Sequence, residues 1–304
     1  MKKFICFVSA CFVVTACTID KTDYESETNT SVPDNHEFKT IISFEQGSYS
    51  IQMEALDGQL YKGYNEVRLH VMQKSTKEVV EDAVITFLPV HTTATGEKET
   101  CPHSNQFKYQ SQERFYQGYS VFTTESTTGN WEVILSLAIE REKFEQVETV
   151  TVRPQGNMNL NMTSFIGSDQ EHYIIALVAP NKPKVAENQL VAGIFKKNNL
   201  DTTTQDLAAL QQAYSSVDGY KLFLDPRMPE PSMGNHSSPN NKDLIQGEDA
   251  LYYGVVNYTM TGNWTLNFIL QNDKGRLIKG TKVPTDFTPG VAGVKSELFI
   301  DILF

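Results

Sequence analysis

Phe115-Tyr116-Gln117-Gly118-Tyr119, followed by Gly129-Asn130-Trp131, returns later in the chain as Leu251-Tyr252-Tyr253-Gly254-Val255, followed by Gly262-Asn263-Trp264. The two tripeptides hold the chain's only tryptophans, 133 residues apart. His103 and His236 keep the same separation, and each precedes a serine. Working outward, residues 49–57 match 172–180, and Asn65-Glu66-Val67 matches Asn188-Gln189-Leu190, at the smaller offset of 123. The offset widens because the second copy carries an insertion near residues 200–217. Self-similarity at one long period marks a duplicated unit. The chain therefore reads as two copies of one domain, residues 38–153 and 163–304, with a linker beginning at Pro154-Gln155-Gly156-Asn157.

Each copy reads as β. Trp131, Val133, Leu135, Leu137 and Ile139 alternate with Glu132, Ile134, Ser136, Ala138 and Glu140, and Trp264, Leu266, Phe268 and Leu270 do the same against Thr265, Asn267, Ile269 and Gln271. Val67, Leu69 and Val71 repeat the pattern. A period of two over such a run marks a strand with one buried face. Asn272-Asp273-Lys274-Gly275 is a turn signal after the second tryptophan strand. Short strands with turn residues between them, and no long helix, predict an all-β chain of two tandem immunoglobulin-like sandwiches. The one helical candidate, residues 205–214, spaces Leu207, Leu210 and Tyr214 for a single face and lies in the second copy's insertion. At the C-terminal end, the strand at 147–152 has two candidate counterparts, 277–283 and 298–304.

Composition narrows the function. With 304 residues, 40% hydrophobic and 21% charged, the chain can bury a core. Its formal net charge of −11 argues against a nucleic-acid partner, which needs clustered Lys and Arg. The N-terminus reads as an address. Met1-Lys2-Lys3-Phe4 and an apolar run to Val14 form a secretory signal, residues 1–16. The run meets Val14-Thr15-Ala16-Cys17, which resembles the lipobox of bacterial lipoproteins and makes Cys17 the expected lipidation site. Cys6 and Cys11 leave with the signal, so Cys101 remains without a disulfide partner. Residues 17–37 are polar and acid-rich, as a flexible tether requires. Thr18 stands where an inner-membrane retention aspartate would be, so the expected location is the cell envelope, anchored at the outer membrane on its periplasmic side or at the cell surface.

Enzymatic chemistry is not expected. There is no glycine-rich phosphate loop, no GxSxG, no HExxH, and no spacing that selects an acid–base pair. The unusual segments are the loops after the third strand of each copy. One reads Leu224-Asp225-Pro226-Arg227-Met228-Pro229-Glu230-Pro231-Ser232-Met233-Gly234-Asn235-His236; the other begins Leu88-Pro89-Val90-His91 and ends Cys101-Pro102-His103. Met228, Met233 and His236 offer two thioethers and an imidazole, while His91, Cys101 and His103 offer a thiol and two imidazoles. Such ligands suit a soft transition metal, copper first. The same methionines would also serve as filler under a Pro-rich loop, and the histidines as polar loop residues. Trp131 and Trp264 could stack on a sugar, but their place on the alternating apolar faces assigns them to the core.

The order of these elements resembles a family. Asp82-Ala83-Val84-Ile85-Thr86, then Met228-Pro229 and Met233-Gly234-Asn235-His236, then Gly129-Asn130-Trp131 and Gly262-Asn263-Trp264 are similar to the A-x-V strand, the Met/Pro/Gly/His loop and the Gly-x-Trp strand of YtkA-like and FixH-like domains. The likeness covers residues 64–139 and 188–271. The first copy departs from the loop pattern, with His91, Cys101 and His103 where Met and His would stand. The resemblance implies small extracytoplasmic immunoglobulin-like modules linked to heavy-metal efflux or oxidase assembly. The expected function is thus a lipid-anchored accessory protein, binding copper or another soft metal, and its alternative is a metal-free tandem module that binds an envelope protein such as an efflux component.

Overall fold

The structure is a computed structural model, and it describes residues 37–156, 159–199 and 206–304. The signal peptide, Cys17 and all but the last residue of the tether lie outside the described residues. The first half contains β1 (Phe38–Gln46), β2 (Tyr49–Leu56), β3 (Leu60–Tyr61), β4 (Gly63–Gln73), β5 (Val84–Thr93), β6 (Lys98–Glu99), β7 (Lys108–Gln110), β8 (Phe115–Phe122), β9 (Gly129–Ile139), β10 (Glu142–Val150) and β11 (Val152–Arg153). One sheet runs β1-β2-β4-β8-β7 and the other β10-β9-β5-β6. Leaving out the edge strand β1, this is the A-B-E-D against G-F-C layering of an immunoglobulin-like sandwich. The inward residues of β2, β4, β5 and β9, among them Ile51, Leu69, Phe87, Trp131 and Leu135, form one core between the layers.

The second half contains β12 (Met162–Ile166), β13 (His172–Ala179), β14 (Glu187–Lys197), helix α1 (Leu207–Gln211), β15 (Tyr214–Ser216), β16 (Lys221–Met228), a 3-10 turn (Pro231–Met233), β17 (His236–Ser237), β18 (Lys242–Gln246), β19 (Tyr252–Asn257), β20 (Asn263–Gln271), β21 (Leu277–Lys279) and β22 (Phe299–Leu303). The pairings β12-β13-β14-β19-β18 repeat β1-β2-β4-β8-β7 strand for strand, and β20-β16-β17 repeats β9-β5-β6. The register repeats as well: Val67 faces Gly118 in the first half, and Leu190 faces Gly254 in the second. One difference closes the second sandwich further. β18 pairs with β16 as well as β19 through a register shift, so the strands form a single 11-stranded sheet.

Three backbone clasps recur at matching places. Asn65 accepts from Tyr61 N and donates to the carbonyls of Tyr61 and Gly63; Asn188 accepts from Lys184 N and donates to those of Lys184 and Ala186. The Tyr116 hydroxyl donates to Val80 O and accepts from Ala83 N, as Tyr252 does with Val217 O and Tyr220 N. Trp131 and Trp264, both fully buried, donate their indole N–H to Thr124 O and Met260 O. Each clasp satisfies backbone groups that a buried turn would otherwise leave unpaired.

The ambiguity at the C-terminus resolves into a split strand. β10 follows β9 without interruption from Ile139 to Trp131. In the second half β21 pairs with the end of β20 and β22 with its beginning, Ile302 facing Trp264 as Val150 faces Trp131. Residues 280–298 are inserted between them.

The halves meet on an apolar seam. Val121, Ile174, Ala176 and Phe195 form a separate buried cluster, joined by Tyr64, Tyr119, Met162 and Tyr214. Tyr119 and Phe195 lie 5.9 Å apart between ring centroids, and Tyr64 stacks on Tyr119 at 5.5 Å. Covered on both faces, β13 is buried continuously from Tyr173 to Leu177, where its counterpart β2 alternates. The insertion adds a polar contact. Asp206 caps α1 by accepting from Ala208 N, and Gln211 at the helix's end donates to Phe87 O at 3.1 Å and Asn105 Oδ1 at 3.3 Å across the seam. The helix is shorter than the predicted 205–214, and none of its residues is buried, so its anchorage comes from this contact and its cap.

Candidate functional site

The candidate residues gather at the tryptophan ends of the sandwiches, where β5 meets β9 and β16 meets β20. His91 faces Trp131 in the ladder and, on its other side, Glu99. Arg227 faces Thr265, which sets Met228 beside Trp264, and Met228 faces His236 on β17. His91 and Met228 are therefore equivalent positions, and so are Glu99 and His236. This corrects the pairing of His103 with His236. The separation of 133 residues is coincidental there, because the β-strands and their connections differ in length between the halves.

His91 is 3% exposed and lies 4.9 Å from Trp131 between ring centroids. Its Nδ1 is 4.0 Å from Glu99 Oε2, and neither ring nitrogen has a hydrogen-bond partner among the described residues. Cys101 is fully buried in the core of the first half, and burial pushes its thiol pKa well up, so the free group stays a thiol. His103 points elsewhere: Nδ1 is 2.6 Å from Cys101 O and Nε2 is 3.2 Å from Gln211 Nε2 at the seam. Burial pushes its pKa down and keeps the ring neutral, against the opposing effect of the Cys101 carbonyl.

In the second half Met228 is the last residue of β16, with its side chain 2% exposed inside the core. Met233 is partly buried against that same core from the 3-10 turn. His236 Nε2 lies 2.8 Å from Thr259 Oγ1, and its ring sits edge-on to Trp264 at 6.1 Å. Five of the six side chains expected as ligands are thus engaged by packing or by backbone, amide and hydroxyl partners, and His91 is packed on Trp131. Among the described residues no group of three or more His, Cys, Asp or Glu comes together to hold a metal. The first-copy set His91, Cys101, His103 is accordingly not a cluster: the register turns His91 toward Trp131 and sends His103 to the seam.

A cavity of about 230 Å³ between β12 and β22 is lined by Asn161, Thr163, Glu297 and Asp301 among others. It is smaller than a typical small-molecule site. Asp301 is already held by Thr265 Oγ1 at 2.6 Å and Lys295 Nζ at 2.7 Å, and Glu297 pairs with Lys279. No acid–base pair is left poised there.

Sequence reasoning passed over the 280–298 insertion. The feet of residues 282–295 are tied together, Thr281 N donating to Ser296 Oγ and Glu297 N to Thr281 Oγ1. The 229–236 segment supports it from beneath. Gly293 N donates to Pro229 O at 2.7 Å, Asn235 Nδ2 to Pro284 O at 3.1 Å, and the Phe287 ring lies over Gly234. Such a loop with closed ends is an Ω-loop. It turns Phe287, Val291 and Val294 outward, 47%, 56% and 62% exposed. Pro284, Pro289 and Gly290 around those apolar residues were the available signal. The Met/Pro loop that the sequence singles out is, in the structure, the buttress of this second loop.

Among the described residues no helix is long and apolar enough to cross a membrane. Comparison with protein-family models and with curated proteins finds no match to this chain.

Proposed function

We propose that this protein is a lipid-anchored, non-enzymatic module of the cell envelope that presents a rigid pair of immunoglobulin-like sandwiches to a protein partner, without a resident metal. The single observation that carries the metal-free part is the fate of the six candidate ligands. Met228 and Cys101 lie in the two cores, Met233 packs against the second core, His91 lies on Trp131, and His103 and His236 lie at a carbonyl and a hydroxyl. The envelope part is supported by Val14-Thr15-Ala16-Cys17. Kinship with YtkA-like and FixH-like modules belongs to the same proposal and is supported by the A-x-V, Met/Pro loop and Gly-x-Trp order on sandwich strands. Tandem sandwiches joined by an apolar seam and the Gln211 hydrogen bonds can behave as one spacer, and that is what a partner-presenting platform requires.

An anaerobic Cu(I) competition titration tests the metal-free reading. The parent and a Met228→Leu/His236→Ala variant are expected to show the same stoichiometry, with no tight equivalent in either. A tight equivalent in the parent that the variant loses would reinstate the copper site. The anchor is tested by fractionating cells that carry Cys17→Ser: the variant is expected to leave the membrane fraction, and retention equal to the parent would refute lipidation.

A further inference from the structure

We propose that the 282–295 Ω-loop docks on the surface of the lipid bilayer that holds the anchor, giving the body a second point of attachment and a fixed orientation. The internal duplication supplies the control for this inference. In the first half the strand opposite β9 is the unbroken β10, and the sandwich closes without any insertion. The 280–298 segment is therefore an addition to a fold that does not need it, and long added loops are where binding functions reside. Its apolar residues do not serve the core: Phe287, Val291 and Val294 are exposed although Val283 and Leu298 at its feet are buried. The backbone is held in place by the Pro229, Asn235 and Ser296 contacts, so the tip is preorganised with those side chains facing outward.

The occupant follows from charge and from the chain outside the described residues. Residues 282–295 carry only Lys282, Lys295 and Asp286 as charged groups, and the Lys295 ammonium is held by Asp301, so the stretch is close to neutral in a chain of net charge −11. Exposed apolar side chains on a stretch without net negative charge are a composition that settles at a headgroup boundary. This inference rests on the lipidation of Cys17. Residues 17–37 number 21, which at full extension span about 70 Å. That is enough to let either half lie on the membrane. A tethered surface is present at an effective concentration on the order of millimolar, so an intrinsic affinity in the millimolar range is enough to hold the loop down. Three partly inserted side chains fit such a weak interaction.

The test uses the mature lipidated protein in vesicles of phosphatidylethanolamine and phosphatidylglycerol, with an environment-sensitive fluorophore on Val291→Cys. Cys101 is buried and does not compete for the label. A second protein carries the fluorophore on Val84→Cys, an exposed position in the first half. The expected result is a blue-shifted emission at 291, protected from an aqueous quencher, and neither effect at 84. Phe287→Asp with Val294→Asp is expected to abolish both effects while the protein still floats with the vesicles. The loop proposal is overturned if the protein floats but the 291 probe stays in water like the 84 probe. It is equally overturned if the 291 probe is shielded only in native membranes and not in vesicles, an outcome that would assign the loop to a protein partner. Failure of the anchor itself shows separately, as Cys17→Ser protein that floats as well as the parent.

Discussion

Gly129 and Gly262 begin the two Gly-Asn-Trp tripeptides because atoms of the neighbouring strand take their side-chain space. A Cβ on Gly129 would collide with the Thr92 carbonyl oxygen and lie 2.5 Å from His91 Nε2, and one on Gly262 would lie 2.8 Å from the Met228 methyl, with φ +127 adding backbone strain at Gly262. Gly118 and Gly254 are likewise excluded from carrying a side chain by the Phe107 ring and by Leu244. Gly129→Ala is expected to destabilise the protein by about 1–3 kcal/mol through overpacking, read as a lower midpoint in urea, with the 262 change at least as costly. The tyrosine clasps give a pH dependence. Burial pushes the Tyr116 and Tyr252 phenols up to about 12, from an ordinary value of 10.0. A pKa raised in the folded state means that stability is complete below the unfolded value and is lost as pH rises through the folded one. Unfolding free energy should therefore hold level up to pH near 10 and decline from there toward 12. Tyr116→Phe should cost about 1 kcal/mol at neutral pH through two lost hydrogen bonds, and it should make that alkaline decline shallower without abolishing it, because Tyr252, Tyr253 and other buried phenols are raised as well. These motif residues were legible because duplication printed them twice. The burial of Met228 was not, since a thioether suits a metal and a gap in a core alike, and only the ladder register places its side chain in the core.

At the scale of elements, Asn65 and Asn188 show what a repeated polar residue means when it is buried. Each carries three hydrogen bonds to the turn that precedes a central strand. Asn65→Ala or Asn188→Ala strands two carbonyls and an amide, and should cost about 1–3 kcal/mol, with the loss confined by hydrogen exchange to the β3–β4 turn or the turn before β14. The two-faced burial of β13 was present in the sequence as the continuous run Tyr173-Ile174-Ile175-Ala176-Leu177, whereas β2 alternates as Ile51-Gln52-Met53-Glu54-Ala55. Such a run says that a second layer exists but not what it is. The partner, Tyr119 and Val121 on β8, lies about fifty residues earlier in the chain, and no local period encodes a contact at that distance. The split of the last strand was undecidable for a similar reason: β21 and β22 each supply part of what β10 supplies whole.

At the scale of the whole molecule, the two sandwiches act as one body because apolar and polar contacts across the seam reinforce one another. Phe195 is 2% exposed there, and Phe195→Ala removes a large buried ring at a cost of about 3–5 kcal/mol. Combined with Gln211→Ala, it is expected to split a single calorimetric transition into two, one for each core, while either sandwich keeps its own β signal in circular dichroism. The central claim is that a duplicated immunoglobulin-like sandwich has become one rigid platform, and an inter-spin distance measurement tests it most directly. Spin labels on Val84→Cys and Ile245→Cys sit on exposed positions, one in each half, and buried Cys101 stays unlabelled. The expected result is a single narrow distance distribution that broadens when Phe195→Ala and Gln211→Ala are added. A broad distribution already in the doubly labelled parent, unchanged by those substitutions, would contradict the account.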